Sequence, residues 1–160
     1  MGRRLITILE ILLFTTLFAL FAGMVITTHS NDAIVEHTEE FVELVRYKGC
    51  NTKQMYDDFL DGFSTPVEVR MTVTKENALT GAGSDLESMV FTQDIVNRIV
   101  SDPNHLYPMY VGDEIEVVVR RPGRSMYSTI LGSLGGGGAK GETNPVVAVK
   151  GGMILNEQWQ

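Results

Sequence analysis

Residues 5–28 constrain the fold more than any other part of the chain. They form one predominantly apolar run that a single charge, Glu10, interrupts. At a rise of about 1.5 Å per residue, a helix of this length crosses the roughly 30 Å hydrocarbon core of a bilayer. Only helices and closed barrels satisfy their backbone polar groups in lipid. The sequence therefore predicts a membrane-spanning helix.

Two other interpretations of this run were weighed. A cleaved secretory signal would use Arg3 and Arg4 as its basic start, but the run is long for a signal and contains Glu10, and residues 20–22 make a poor cleavage site. A buried core helix is rarely this long or this apolar on all sides. A retained membrane helix is the favoured interpretation.

The charges on either side of the run predict its orientation. Arg3 and Arg4 precede it, whereas Asp32, Glu36 and Glu39 follow it. Because basic residues favour the cytoplasmic side, residues 1–29 are expected to be a cytoplasmic stub and transmembrane helix. Residues 30–160 are then an extracytoplasmic domain, and the expected location is the cell membrane, as a single-pass protein, or a cell-surface filament.

The composition of the outer part excludes some partners. It carries 19 acidic and 11 basic residues, a net charge of −8, once Arg3, Arg4 and Glu10 are set aside. Such a surface repels nucleic acid and anionic lipid. Cys50 is the single cysteine, so no intrachain disulfide exists. An intermolecular bridge through Cys50 stays open, although a small apolar role is favoured.

Residues 31–47 continue the helical pattern with an amphipathic stripe. Acidic side chains occupy the opposite face, and Gly49 can end the helix. No proline separates this segment from the apolar run, so one long helix over residues 5–48 is predicted. Its inward side chains are predicted to be Ile34, Phe41, Leu44 and Val45, with His37 and Thr38 between them.

The remaining chain alternates short helices and strands. Asn51 and Gln54 predict the capped start of a short helix, with Met55, Phe59 and Leu60 on its buried side. Period-2 alternation predicts two strands, and Gly151 and Gly152 are expected to break a third. The predicted strands cover 66–74, 114–121 and 145–150, and further helices are predicted over 89–100 and 126–134.

These elements predict an α+β fold: a long N-terminal membrane-spanning helix, lollipop-like, with a small antiparallel β-sheet and short helices packed on its upper half.

No constellation for catalysis or metal binding is present in the sequence. His29, His37 and His105 are scattered, and no serine lies in a nucleophile elbow. Asp57 and Asp61 lie on one helix face but lack the alternating pattern of a calcium loop. The chain is therefore predicted not to be an enzyme and to need no cofactor.

The layout of basic start, apolar helix and early glutamate resembles that of type IV pilins and their minor relatives. The resemblance implies that the apolar helix packs against like subunits, with Glu10 pairing with the amine, Arg3 or Arg4 of a neighbour. The other interpretation is that Glu10 extends towards water at the cytoplasmic end. The implied assembly interface is Glu10 with Leu5, Ile6, Leu9, Leu13, Leu17 and Phe21.

Three further segments resemble small proteins that accompany Tad/Flp-type pilus systems in Gram-positive bacteria. They are KGCNTKQMYDDFL (48–60), GDEIEV (112–117) and GGMILNE (151–157). The resemblance implies a TadE/TadF-like pseudopilin or minor pilin whose partners are the membrane, related subunits and assembly machinery. The alternative is a monomeric, membrane-anchored extracytoplasmic binding module.

The charge asymmetry gives a first testable prediction. An alkaline phosphatase fused to the C-terminus should be active, because this enzyme folds only outside the cytoplasm. A reporter that is active only in the cytoplasm should be silent at the same position. The reverse pattern would contradict the predicted orientation.

Overall fold

The computed structural model describes residues 2–75, 89–123 and 144–157. Helix α1 covers Gly2–Lys48 and is continuous, which confirms the single long helix predicted over 5–48. Its end is a glycine cap: Gly49 adopts a φ of 68°, and its N–H donates to the Val45 carbonyl over 2.8 Å. Arg46 and Lys48 occupy the last turn, where cations favour the helix dipole.

The remaining described elements form an α+β body. Four strands make an antiparallel sheet in the order β3-β2-β5-β6, and β1 and β4 pair separately. This arrangement confirms the predicted fold class of a long helix, a small antiparallel sheet and short helices. The elements are β1 Cys50–Thr52, α2 Lys53–Asp61, β2 Glu68–Thr74, β3 Met89–Phe91, α3 Thr92–Ser101, β4 Leu106–Pro108, β5 Glu114–Arg120 and β6 Val146–Met153.

The core of this body lies between the sheet and helices α1, α2 and α3. Strands β2 and β5 alternate as predicted, so that Met71 and Val117 are buried while Arg70 and Glu116 are exposed. From α1, Phe41 is 4% exposed and its ring stacks on that of Phe59 in α2 at a centroid distance of 4.1 Å. Residues 33–122 and 145–157 belong to this unit, and residues 2–32 belong to another.

The inward face of α1 differs from the prediction at one position. Leu44 is 41% exposed, whereas Val42 is 2% exposed and belongs to the core. At about 100° per residue, Ile34, Thr38, Phe41 and Val45 define the centre of the stripe, and Val42 and Leu44 flank it on opposite sides. The rest of the body covers the helix on the Val42 side and leaves Leu44 exposed. The helical period alone does not predict which of the two sides is covered.

Two predicted helix starts were wrong by one to three residues. Thr52, not Asn51, caps α2, and its hydroxyl accepts from the Met55 amide over 3.2 Å. Asn51 instead lies in β1. The helix predicted from Met89 begins at Thr92, because Met89–Phe91 pair with β2 as a short edge strand. A strand of three residues is too short to show an alternation of buried and exposed side chains. It is defined by its pairing with a distant strand, here β2.

The buried side of α2 is also narrower than predicted. Met55 and Phe59 are buried, but Leu60 is 37% exposed.

Gly151 and Gly152 do not break the third strand, which runs through them as β6. A Cβ atom at Gly151 would lie 2.7 Å from the Ile115 carbonyl oxygen, and one at Gly152 would lie 2.7 Å from Nε of Arg46. Arg46 Nε donates to the Met153 carbonyl over 2.9 Å. The glycines are therefore positions where neighbours approach the strand closely.

Some predictions fall outside the described residues. They are the helix predicted over 126–134, a polar loop that the sequence predicts after Lys75, a helix cap that Ser84 and Glu87 predict, most of a flexible glycine-rich loop predicted over 135–144, and the packing of Trp159.

The core packing predicts that Phe41→Asp unfolds the α+β body. Removing a buried aromatic side chain alone costs about 3–5 kcal/mol, and an unpaired buried charge adds to this cost. A domain of this size has only about 5–15 kcal/mol of stability. Chains starting at Ser30 should fold without the apolar segment, and the variant should lose the cooperative thermal transition seen by circular dichroism.

Leu44→Asp is the matched control, because Leu44 lies one helical turn away but is exposed. It should keep the transition within a few degrees of the parent chain. An unchanged melting temperature for Phe41→Asp would mean that this stripe is a subunit interface and not a core.

Candidate functional site

The apolar face of α1 is the first candidate site. Within Ile6–Lys48, one 18-residue window has a mean hydropathy of 2.3, and only 6% of it is buried. Leu9, Leu13 and Phe21 each expose more than 60% of their surface. The described residues leave this segment almost uncovered, and α1 is long and apolar enough to span a membrane.

Threonine hydroxyl groups in this segment donate hydrogen bonds to backbone carbonyls of the preceding helical turn. Thr15 donates to the Ile11 carbonyl over 2.9 Å, and Thr16 donates to the Leu12 carbonyl over 2.7 Å. Such bonds to the preceding turn satisfy hydroxyls where no water is present. Among the described side chains of the apolar segment, Glu10 is the single charged residue, and it is exposed.

The predicted interface residues lie on one side of α1. At about 100° per residue, positions 6, 9, 10, 13, 17 and 21 fall within one face. The side chains from Ile6 onward are exposed there, and that of Leu5 lies outside the described part. Leu17 and Phe21 also line an apolar groove along the helix, together with Phe14, Phe18, Leu20 and Met24.

A second candidate site is an open groove in the α+β body, which the sequence patterns did not reveal. Its volume is about 510 Å³, within the usual range for ligand pockets. It lies where the end of α3, the turn after it and strand β4 meet. The side chains that give it chemical character are Lys75, Arg98, Ser101, Leu106, Tyr107 and Tyr110.

An ion pair between Lys75 and the buried Asp113 lies at one wall of this groove. Lys75 Nζ lies 2.7 Å from Oδ2 of Asp113, which is 3% exposed. The same oxygen accepts from the Tyr110 amide over 3.1 Å. Lys75 Nζ also lies 5.2 Å from the Tyr107 ring centre and 5.5 Å from that of Tyr110, within cation–π distance of both.

Two cations lie close to the Tyr107 ring. The Arg98 guanidinium carbon lies 5.9 Å from its ring centre, and Tyr107 is 2% exposed. Its hydroxyl has no hydrogen-bond partner among the described residues. Burial raises the pKa of Tyr107 to about 12; Arg98 opposes this shift and Asp113 adds to it.

The turn between α3 and β4 shapes the rim. Oδ2 of Asp102 accepts from the amides of Asn104 over 2.9 Å and Leu106 over 3.3 Å. This is the hydrogen-bonding pattern of an Asx turn. His105 takes a φ of 53°, and its N–H donates to the Asp102 carbonyl over 3.0 Å. The sequence around Pro103 also predicts a turn over 101–104, and the structure places it directly after α3, which ends at Ser101.

His37 and Asp57, which the sequence offered as candidates for chemistry, make packing and ion-pair contacts within the body. His37 packs on Phe59 and Phe63, and its Nε2 lies 3.1 Å from the Phe59 carbonyl. Asp57 pairs with Lys53 across one helical turn. Over residues 2–75, 89–123 and 144–157, no three His, Cys, Asp or Glu side chains come together as a metal site.

Cys50 is buried as well. Burial raises the pKa of its thiol, and Lys48 acts in the opposite direction. A buried thiol with a raised pKa is a poor nucleophile. These surroundings favour the small apolar role for Cys50.

Compared with protein-family models, curated proteins and solved structures, the chain matches none of them. The TadE/TadF-like identity therefore stays a prediction from the sequence.

The unpaired hydroxyl predicts that Tyr107→Phe does not destabilise the body. A buried hydroxyl without a partner costs about 1–3 kcal/mol, so the variant should gain about 1 kcal/mol in free energy of unfolding near pH 7. Urea unfolding of the detergent-solubilised chain measures this gain. Tyr47→Phe, at a position 60% exposed, should change nothing.

The raised pKa of Tyr107 also predicts that Tyr107→Phe changes how the stability of the folded state depends on pH. Unfolded Tyr107 releases its proton near its ordinary pKa of 10.0, whereas the folded chain keeps it to about 12. The folded state thus binds more protons in this window, and stability should fall as pH rises from about 10 to about 12. Tyr107→Phe should remove that part of the decline, and an identical decline in both chains would contradict the assignment.

Proposed function

We propose that this chain is a structural subunit or accessory, of the pseudopilin or minor-pilin kind, in a bacterial surface filament or secretion assembly. The observation that carries the proposal is that α1 is one uninterrupted helix with two different surfaces. Residues 6–26 expose apolar side chains, whereas Phe41 and Val45 belong to the protein core. A subunit that binds neighbours through its apolar segment would couple those contacts to its folded body through a single helix.

Glu10 supports an assembled role. A carboxylate facing lipid costs at least about 2.5 kcal/mol on insertion scales. A neighbouring chain with a positive group near this depth would offset that cost. On this proposal the partners are the membrane, like or related subunits and an assembly machinery, and the body lies outside the cell.

The groove favours a second candidate function, that of a monomeric, membrane-anchored binding module. Its two cations and partly exposed Tyr110 surround an open volume beside a rigid turn. Contact between copies through α1 separates the two candidates, because a monomeric module needs none.

Substitutions at Glu10 test the pairing. Glu10→Gln keeps the shape of the side chain and removes its charge, and Glu10→Leu also raises the hydrophobicity. Both variants should insert in the membrane at the level of the parent chain. Both should lose most co-purification of differently tagged copies from detergent extracts, and filaments should be fewer. Normal assembly of Glu10→Leu would contradict the pairing.

Cysteine crosslinking tests the face of α1, in a Cys50→Ala background. Leu13→Cys lies on the predicted interface, and Ala19→Cys lies outside it, about 120° from Leu13 around the helix at about 100° per residue. Oxidation in native membranes should give dimers of the first variant and few of the second. Equal crosslinking would mean that the contact is random collision, and none would favour the monomeric module.

A further inference from the structure

We propose that the groove beside Tyr107 binds a ligand with one carboxylate and an apolar body, and that Arg98 is the group that binds the carboxylate. This goes beyond the proposed function, because either an assembled or a monomeric chain can carry such a site. The shared chemistry fits a small free acid or the carboxyl terminus of a peptide.

Among the described residues that line the groove, Arg98 is the cation without a carboxylate partner. No carboxylate of the described residues lies within ion-pair distance of its guanidinium, although Asp94 precedes it by one helical turn. In a chain with a net charge of −7, a cation with a carboxylate so near in sequence is expected to pair with it. Arg98 instead lies against the Tyr107 ring at the edge of the groove.

The charges around Arg98 select a monoanion. Lys75 is neutralised by Asp113, which is buried behind it. Asp102, a carboxylate that also lines the groove, accepts from two backbone amides. Among the described groove residues, a dianion such as phosphate would meet one cation without an ion-pair partner and one carboxylate. A single planar carboxylate matches the two parallel donors of one guanidinium.

The rest of the groove provides room for an apolar group. Leu106, Pro108 and Tyr110 line it, and Tyr110 is 50% exposed. Ser101 adds a hydroxyl at the end of α3. Tyr107 adds a second, independent sign of an incomplete site, since its hydroxyl is buried among the described residues without a partner.

The test uses the full chain in phosphatidylcholine nanodiscs and three probes. They are N-acetylphenylalanine, its uncharged amide, and a tetrapeptide ending in a free phenylalanine carboxylate. Isothermal titration should show saturable binding of both acids, and the amide should bind at least about tenfold more weakly, since it lacks the charge-assisted pair. A tighter tetrapeptide identifies a chain terminus as the ligand, and a tighter N-acetylphenylalanine identifies a small acid.

Arg98→Gln should weaken binding of the acids at least about tenfold, and Arg98→Lys should restore part of it, because a lysine keeps the charge without the planar fork. Arg70→Gln is the matched control: Arg70 is exposed in β2 and does not line the groove. It should leave the affinity within about twofold. Equal melting temperatures of the variants verify folding.

The proposal is overturned if neither acid binds saturably, if acid and amide bind equally, or if Arg70→Gln weakens binding as much as Arg98→Gln. None of these results alters the crosslinking pattern of α1, so failure of this site and failure of the proposed function are distinguishable.

Discussion

The stacking of Phe41 on Phe59 joins the long helix to the rest of the protein. Helix α1 must satisfy two surroundings with one backbone: apolar side chains stay exposed over its first half, and a narrow stripe is buried over its second. The two rings, 4.1 Å apart, fix α1 to α2, and the strands pack beneath them. Together with the buried Val42 and Val45, this contact makes the second half of α1 part of the folded body.

The fold was largely predictable because its signals are local. A continuous apolar run, the alternation in β2 and β5, and the glycine after Lys48 each determine structure within a few residues. The predictions were wrong where a segment distant in sequence determines the burial or the secondary structure of a residue. Leu44 and Val42 flank the same stripe, and only the position of the sheet selects Val42. Met89–Phe91 form a strand because β2 lies beside them, and their own three residues contain no such information.

The two candidate sites also differ in whether local sequence or long-range packing determines them. The apolar face of α1 follows from helical geometry, so the residues on it could be named from the sequence, and their role as an interface stays a prediction. The groove unites Lys75, Arg98 and Tyr107 from three separate elements, and none of these residues is unusual in its own segment. A lysine before a loop, an arginine on a helix and a tyrosine in a short strand become a site only when the β1–β4 pair places Tyr107 beneath both cations.

The contact between Arg46 and β6 has a consequence for how copies of this chain meet. In the described sheet β6 is an outer strand, and outer strands with free backbone groups recruit strands from other chains. Here the Arg46 side chain engages the Met153 carbonyl, and its own carbonyl accepts from the Leu155 amide over 3.0 Å. Helix α1 thus occupies the end of β6 where a foreign strand would add. Addition of another strand is therefore hindered at that end of β6.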